Sequence, residues 1–250
     1  MSNQIGNPTV PKCGASDQRN AEYDSNYSPK KFFDALIDNP SPVIFDVGAH
    51  RGESIDFFRS IYPQSTIYTF EPSPDNFKEL LFKTSSYENV FPFNLAFGNS
   101  DSYAIFYKQD ITHLGGLLPI NKESKDSLGY AKKAKNEPVN VPVNKLDTFC
   151  ANHSISFIDI LKIDTQGYEY EVLQGARQHL PNTRCVTVEI SLYDFYESKN
   201  RSPLLNIEQV MCDAGFCLWD ISKISKNPKS LRTDWIEAVY RNIKPTPQQP

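Results

Sequence analysis

The chain has 250 residues, 39% of them hydrophobic, and a formal charge of −4 at pH 7. That length suits one α/β domain with decoration rather than two full domains, and the apolar content supports a real core. No apolar run approaches the ~18 residues of a membrane span, the polar stretch from Met1 to Asp24 lacks the apolar centre of a signal peptide, and the mild acidity gives no reason to expect a nucleic-acid partner. A cytoplasmic enzyme is the expectation. Five scattered cysteines, Cys13, Cys150, Cys185, Cys212 and Cys217, form no zinc-type double pair and read as free thiols.

Residues 1–27, rich in Asn, Ser and Gln, read as a mobile segment, and 244–250 as a disordered, proline-rich tail. Between them a single domain is expected over 28–243. A helix near Ser28–Ile37 comes first. Val43–Val47 is a short apolar run of the kind found in buried parallel strands, and Glu53–Ile61 places Ile55, Phe58 and Ile61 at helical spacing. The turn between them is Gly48-Ala49-His50-Arg51-Gly52. A second strand, Thr66–Phe70, ends at Glu71 and Pro72. Strand, glycine turn, helix and acid-ended strand together spell the nucleoside half of a doubly wound sheet, with Glu71 placed to accept hydrogen bonds from both hydroxyls of a ribose.

The turn narrows the choice of ligand. A dinucleotide fingerprint needs a bare second glycine so that a pyrophosphate can reach the backbone, and here that position holds His50 in a G-x-x-x-G pattern. The turn suits an adenosine cofactor without a pyrophosphate, S-adenosylmethionine, and Asp46 would lie under its cationic amino-acid end. A helix near Pro74–Lys83 and a third strand at Val90–Leu95 continue the alternation. Tyr103–Tyr107 and Val139–Val143 read as two extra strands that pair as an antiparallel flap.

Between the flap strands, Ile111–Glu137 has little periodicity and carries Gly115-Gly116, Gly129 and five lysines, Lys122, Lys125, Lys132, Lys133 and Lys135. A loop this long is usually functional or disordered. We read an insertion over about 108–138 as a substrate lid, with a solvated loop as the alternative. Its lysines would either receive an anionic or sugar-phosphate substrate or form a charged exposed face.

The alternation resumes with a strand at Phe157–Ile163, a helix from Gly167 to about Leu180, a strand at Arg184–Ile190, and a helix at Pro203–Ala214 stopped by Gly215. Phe216–Ile221 and Trp235–Tyr240 then form a terminal antiparallel hairpin. The fold expected is α/β and Rossmann-like: a doubly wound seven-stranded sheet of the class I methyltransferase type, mostly parallel, closed by a C-terminal antiparallel hairpin and carrying the inserted flap.

Four blocks make the chain resemble the FkbM family of S-adenosylmethionine-dependent methyltransferases over roughly Val43 to Glu189. They are Asp46 to Glu53; Phe70-Glu71-Pro72-Ser73 with Asn76; Asn94-Leu95-Ala96-Phe97-Gly98; and Leu146-Asp147-Thr148 leading to Asp159-Ile160-Leu161-Lys162-Ile163-Asp164-Thr165-Gln166-Gly167-Tyr168-Glu169. Gln166 departs from the family's usual glutamate, and His50 from its usual small polar residue. The resemblance implies methyl transfer to a hydroxyl of a sugar, glycolipid or polyketide-like molecule. The expected cofactor contacts are Asp46, Gly48, Ala49, His50, Gly52, Glu71, Pro72, Asn94 and Ala96.

For catalysis, Asp164 at the end of its strand is the first candidate for a base or for orienting the acceptor, and His113 in the insertion is the second. Glu189, at the end of the following strand, either faces the acceptor or pairs with a lysine. Asp159 and Lys162 read as structural, satisfying buried backbone or pairing across the sheet, and Glu169 as a helix-start residue. No essential metal is expected. Two other readings stay open: a catalytically silent cofactor- or partner-binding module on the same fold, and a nicotinamide- or nucleotide-sugar-dependent enzyme that tolerates a pyrophosphate at His50.

Overall fold

The structure, a computed structural model, describes residues 14–198 and 203–243. The tail read as disordered, 244–250, and the first thirteen residues lie outside that description. The chain divides into two compact units, Met1–Asp38 and Asn39–Pro250. The first holds α1 (Gly14–Asn26), where no element was expected from sequence, and α2 (Pro29–Asp34). Ser28 caps α2 by accepting from the Lys31 N–H, and Pro29 occupies the first turn, where its missing N–H costs nothing.

The second unit runs β1 (Val43–Val47), α3 (Glu53–Ile61), β2 (Thr66–Phe70), α4 (Pro74–Thr84), β3 (Val90–Phe93), β4 (Ala96–Phe97), β5 (Ser102–Lys108), α5 (Tyr130–Lys133), β6 (Glu137–Asn144), α6 (Leu146–Asn152), β7 (Ile158–Ile163), α7 (Glu169–Gln174), β8 (Thr183–Ser191), α8 (Pro203–Ala214), β9 (Phe216–Lys226) and β10 (Thr233–Asn242). Seven strands form the main sheet in the order β3-β2-β1-β7-β8-β10-β9. The first five neighbours pair in parallel, and β10 is antiparallel to both β8 and β9. The chain builds outward from β1 to β3 and returns to the other side of β1 at β7. That reversal opens a crevice at the carboxyl ends of β1 and β7, where open α/β sheets bind ligands.

A smaller sheet, β4-β6-β5, forms the flap, with β5 antiparallel to β6 as the alternation in their sequences predicts. β4 covers β6 only at Val143 and Asn144, so Pro138 and Pro142 are tolerated on the remaining edge. Three further elements escaped the sequence reading. α5 lies in the insertion read as aperiodic. β4 has only two residues, and α6 is a two-turn helix inside a stretch read as a motif. The helix expected to reach Leu180 stops at Gln174. At Gly175 the chain passes so close to Gly98 that a Cβ would lie 1.9 Å from the Gly98 carbonyl oxygen, and Asp147 then accepts the Gln178 and His179 N–H groups.

The strands of the parallel core are buried on both faces, and Phe45, Phe70, Phe97 and Phe149 interlock beneath it, with Phe70 and Phe149 meeting edge to face at 5.0 Å. Two charged groups lie inside this apolar layer, and both are satisfied. Asp159 accepts from the Val43 N–H and the Asn39 amide, each at 2.9 Å. Asp46, with no exposed surface, faces its cross-strand neighbour Lys162, whose Nζ donates at 2.9 Å to one carboxylate oxygen while Ser54 donates at 2.6 Å to the other. Burial works against the Lys162 charge, but Asp46 and Asp164 outweigh it and hold the ammonium above its ordinary range. Cys150, Cys185, Cys212 and Cys217 are free thiols.

Removing one partner of a buried ion pair strands the other in low dielectric. Lys162→Met is therefore expected to lower stability by about 3 kcal/mol in urea denaturation, with the loss largely recovered when Asp46→Asn is combined with it.

Candidate active site

The glycine turn begins as β1 ends. Gly48 adopts φ +80°, and it and Ala49 both donate to the Phe70 carbonyl, at 3.0 and 2.9 Å, clamping the turn onto the end of β2. On the other side, Asp164 N–H donates to the Val47 carbonyl at 3.0 Å. A Cβ at Gly48 would fall 1.8 Å from the Asp164 carbonyl oxygen, so only glycine lets the turns after β1 and β7 meet. His50, at φ +50°, donates its N–H to Glu71 at 2.9 Å. Its ring nitrogens lie 2.9 Å from Glu53 Oε1 and 2.8 Å from Thr112 Oγ1, which ties the glycine turn to the start of the insertion.

Glu71 is buried, and each carboxylate oxygen accepts one backbone N–H, from His50 and from Ser73 at 2.8 Å. Burial pushes its carboxyl up to about 7, against the stabilising Ser73 and His50 hydrogen bonds. A carboxylate offers about four lone-pair sites; His50, Ser73 and the Asn76 amide use part of them, and the remainder faces the cavity. Leu95, Ala96 and Phe97 line the adjoining wall, an apolar slot for a purine. The residues present fit S-adenosylmethionine.

These groups open into one cavity of about 620 Å³. Of the residues singled out from sequence, Gly48, His50, Glu71, Pro72, Ala96, His113 and Asp164 line it. Asp46, Ala49, Gly52 and Asn94 do not line it, and their effect on it is indirect. Asp46 has no exposed surface, and its carboxylate faces Lys162 and Ser54 rather than the cavity, unlike the carboxylate expected under the cofactor's cationic end. Gly52, at φ +85°, allows α3 and α4 to pack: a Cβ there would meet Ile55 at 2.9 Å and Leu80 at 3.0 Å. Asn94 donates to the Glu71 and Pro72 carbonyls at 2.8 and 3.1 Å, holding the end of β2.

The opposite wall escaped the site prediction. It is built by Tyr193, Phe195 and Tyr196 after β8, by Trp235 on β10, and by Tyr130 from the insertion. The signal was the aromatic run beyond the carboxyl end of β8, where ligand-contacting loops begin. The insertion itself is packed: Ile120, Ala131 and Ala134 bury against Phe195 and Tyr196, and Asp126 accepts the Leu128, Tyr130 and Ala131 N–H groups. Its five lysines are exposed and none lines the cavity, so the charged exposed face is the reading that holds.

Three carboxylates converge at the floor. Asp164 Oδ1 accepts from Gln166 Nε2 at 2.6 Å, and the same nitrogen lies 3.5 Å from Glu189 Oε1. Glu169 Oε1 accepts the Thr165 and Gly167 N–H groups at 2.9 and 3.0 Å, closing the turn that starts α7. Burial raises Glu169 to about 7, and burial with Asp164 and Glu169 nearby drives Glu189 higher still. Among the described residues, no group of three His, Cys, Asp or Glu side chains is disposed to hold a metal ion.

A parallel sheet with this strand order, a nucleoside cavity at its switch point and a terminal antiparallel pair define a class I, Rossmann-like methyltransferase. The sequence profile of the methyltransferase FkbM domain matches residues 46–218, and the chain belongs to that family. It is 24% identical over 172 residues to the 2-O-methyltransferase NoeI of Sinorhizobium fredii, covering 66% of this chain and 70% of that one. It is 28% identical over 179 residues to the 31-O-demethyl-FK506 methyltransferase FkbM of Streptomyces tacrolimicus, covering 60% and 66%. The crystal structure of methyltransferase FkbM from Methylobacillus flagellatus superimposes with a TM-score of 0.50 at 14% identity, over 81% of this chain but only 44% of that protein.

Gly48→Ala is expected to destabilise the protein by at least about 1–3 kcal/mol, read as a lower urea midpoint, because both its φ and the Asp164 carbonyl oppose a Cβ. A midpoint equal to that of the unsubstituted protein would show that the two turns do not depend on that contact.

Proposed function

We propose that this protein is an S-adenosylmethionine-dependent O-methyltransferase acting on a hydroxyl of a sugar, glycolipid or polyketide-like small molecule. The observation that carries the reading is the sharing of one cavity by Glu71, on the cofactor side, and Asp164, on the side walled by aromatic rings. When bound, the cofactor supplies an activated methyl group on a sulfonium. His50 fills the position that a pyrophosphate would need, which favours this cofactor over a dinucleotide.

The protein's own contribution is alignment, since an activated donor leaves mainly the approach of the acceptor to be arranged. The half-buried Trp235 offers an aromatic face to the apolar side of a sugar ring or macrocycle, and Tyr193, stacked on Phe195 and covered by the Arg232 guanidinium, lines the same cavity. Asp164 Oδ1 is held by Gln166, while Oδ2 has no donor among the described residues and is the acceptor for the hydroxyl proton. His113 lies on the cofactor side, its ring 6.4 Å from that of His50, and serves as a wall of the site. The insertion carrying it acts as the lid. The names of the curated relatives, both O-methyltransferases, support oxygen as the methyl acceptor atom.

Calorimetric titration is expected to show micromolar binding of S-adenosylmethionine and of its demethylated product, about −8 kcal/mol, with none for nicotinamide dinucleotide; preference for the dinucleotide would overturn the assignment. Glu71→Ala should weaken cofactor binding by about 1.5–3 kcal/mol. Ribose hydroxyls donate to the ionised carboxylate, so protonation opposes binding. Affinity should fall roughly tenfold from pH 8 to pH 6, and Glu71→Gln should abolish that dependence. Asp164→Asn should lower turnover by about 10²-fold or more with cofactor affinity and urea midpoint little changed; full activity would remove Asp164 as the base.

A further inference from the structure

The turn after β7 sets the Gln166 side chain between two carboxylates and a tyrosine hydroxyl. Gln166 adopts φ +59° and Gly167 φ +96°, and Glu169 fixes the turn by accepting the N–H groups on either side of Gln166. The backbone is thus set before the side chain makes any contact. The insertion presses on it as well, since a Cβ at Gly116 would meet Gln166 Cβ at 3.2 Å.

The orientation of the Gln166 amide is forced by chemistry. An ionised carboxylate only accepts, so the nitrogen must face Asp164, 2.6 Å away, and Glu189 Oε1 lies 3.5 Å from the same nitrogen. The amide oxygen accepts from the buried Tyr196 hydroxyl, which also lies 3.4 Å from the Leu114 carbonyl. One neutral side chain joins two carboxylates from adjacent strands to an aromatic residue of the acceptor wall, and all four line the cavity. Glutamate, the residue usual at this position in the resembling family, would set a third carboxylate against Asp164.

We propose that Gln166 is a positioning residue that joins Asp164 and Glu189 into one hydrogen-bonded unit, in which Asp164 takes the proton of the methyl acceptor, with Tyr196 locking the amide in place. The proposal rests on the methyl-transfer reading. As the acceptor oxygen bonds to the methyl carbon, the carbon–sulfur bond breaks and its electron pair stays on sulfur. The hydroxyl proton passes to Asp164 Oδ2, where Gln166 keeps the new acid group next to Glu189. Lys162 on β7 and Glu237 on β10 also face Glu189, the first favouring and the second opposing its charge.

The test is the titration of carboxyl-labelled glutamate followed by carbon-13 NMR, with the Glu189 signal assigned by its absence in Glu189→Gln. That signal is expected to titrate above pH 7 in the unsubstituted protein. Its midpoint should rise by about one unit or more in Gln166→Leu, which loses the donor, and in Gln166→Glu, which adds a like charge. Tyr196→Phe, which frees the amide to turn, should shift it in the same direction by less, and serves if Gln166→Leu does not fold. Release of demethylated cofactor with a panel of free mono- and oligosaccharides should fall at least tenfold in Gln166→Leu, with calorimetric affinity for S-adenosylmethionine within twofold. A Glu189 midpoint unchanged in all three variants overturns the proposal. Failure of the unsubstituted protein to bind S-adenosylmethionine instead overturns the methyl-transfer reading and leaves the titration result standing.

Discussion

Gly48 and the Asp164 carbonyl approach so closely that no side chain fits between them, and the site's geometry depends on that contact. It brings the end of β1 against the end of β7, the two strands flanking the reversal of sheet order. From β1 the chain turns through His50 to hold Glu71; from β7 it turns through Asp164 to Gln166 and Glu189. Cofactor side and acceptor side are therefore separated by the width of one strand pairing, close to the ~4.8 Å spacing of a sheet. The ends of β2 and β7, with Glu71 and Asp164, are placed side by side by backbone sterics, before any side chain has chosen a rotamer.

Around that contact the sheet carries an unusual load of buried charge, and its arrangement follows one rule: a group that keeps its charge is paired or bonded. Asp46 holds Lys162, and Asp159 accepts from a backbone N–H and an amide. Glu71 and Glu169 each accept two backbone N–H groups, which partly offset burial. Glu189 has only the long contact from Gln166 and the charge of Lys162 in its favour, against burial and the nearby Asp164, Glu169 and Glu237, and it is the most strongly raised of these carboxyls. A group whose charge is that poorly supported holds its proton at neutral pH, and strongly perturbed carboxyls of this kind cluster at functional sites.

Much of this was legible in the residues. The strands β1, β2, β7 and β8 were found within one or two residues of their ends because parallel strands buried on both faces are continuous apolar runs, and the terminal hairpin and flap followed from alternation. Glu71 and Asp164, which line the cavity, were singled out because a polar residue at the carboxyl end of such a run has few structural reasons to be there. Spacing failed where a residue's partner lies far off in sequence. Asp46 looked like a cofactor ligand until Lys162, 116 positions away, proved to engage it. The insertion's lysines looked like a substrate cradle until packing of Ile120 and Ala131 against Phe195 and Tyr196 turned them outward.

The sequence by itself determined the class of sheet, the order of its elements, the glycine turn and the acid that ends β2, because each depends on local periodicity or on the conformational freedom of one residue. Only the tertiary structure decided which carboxylates meet, which charges are already engaged, and that an aromatic wall from β8, β10 and the insertion closes the acceptor side. Those facts are contacts between segments brought together by strand pairing, and their energies depend on burial and distance, which no linear pattern carries.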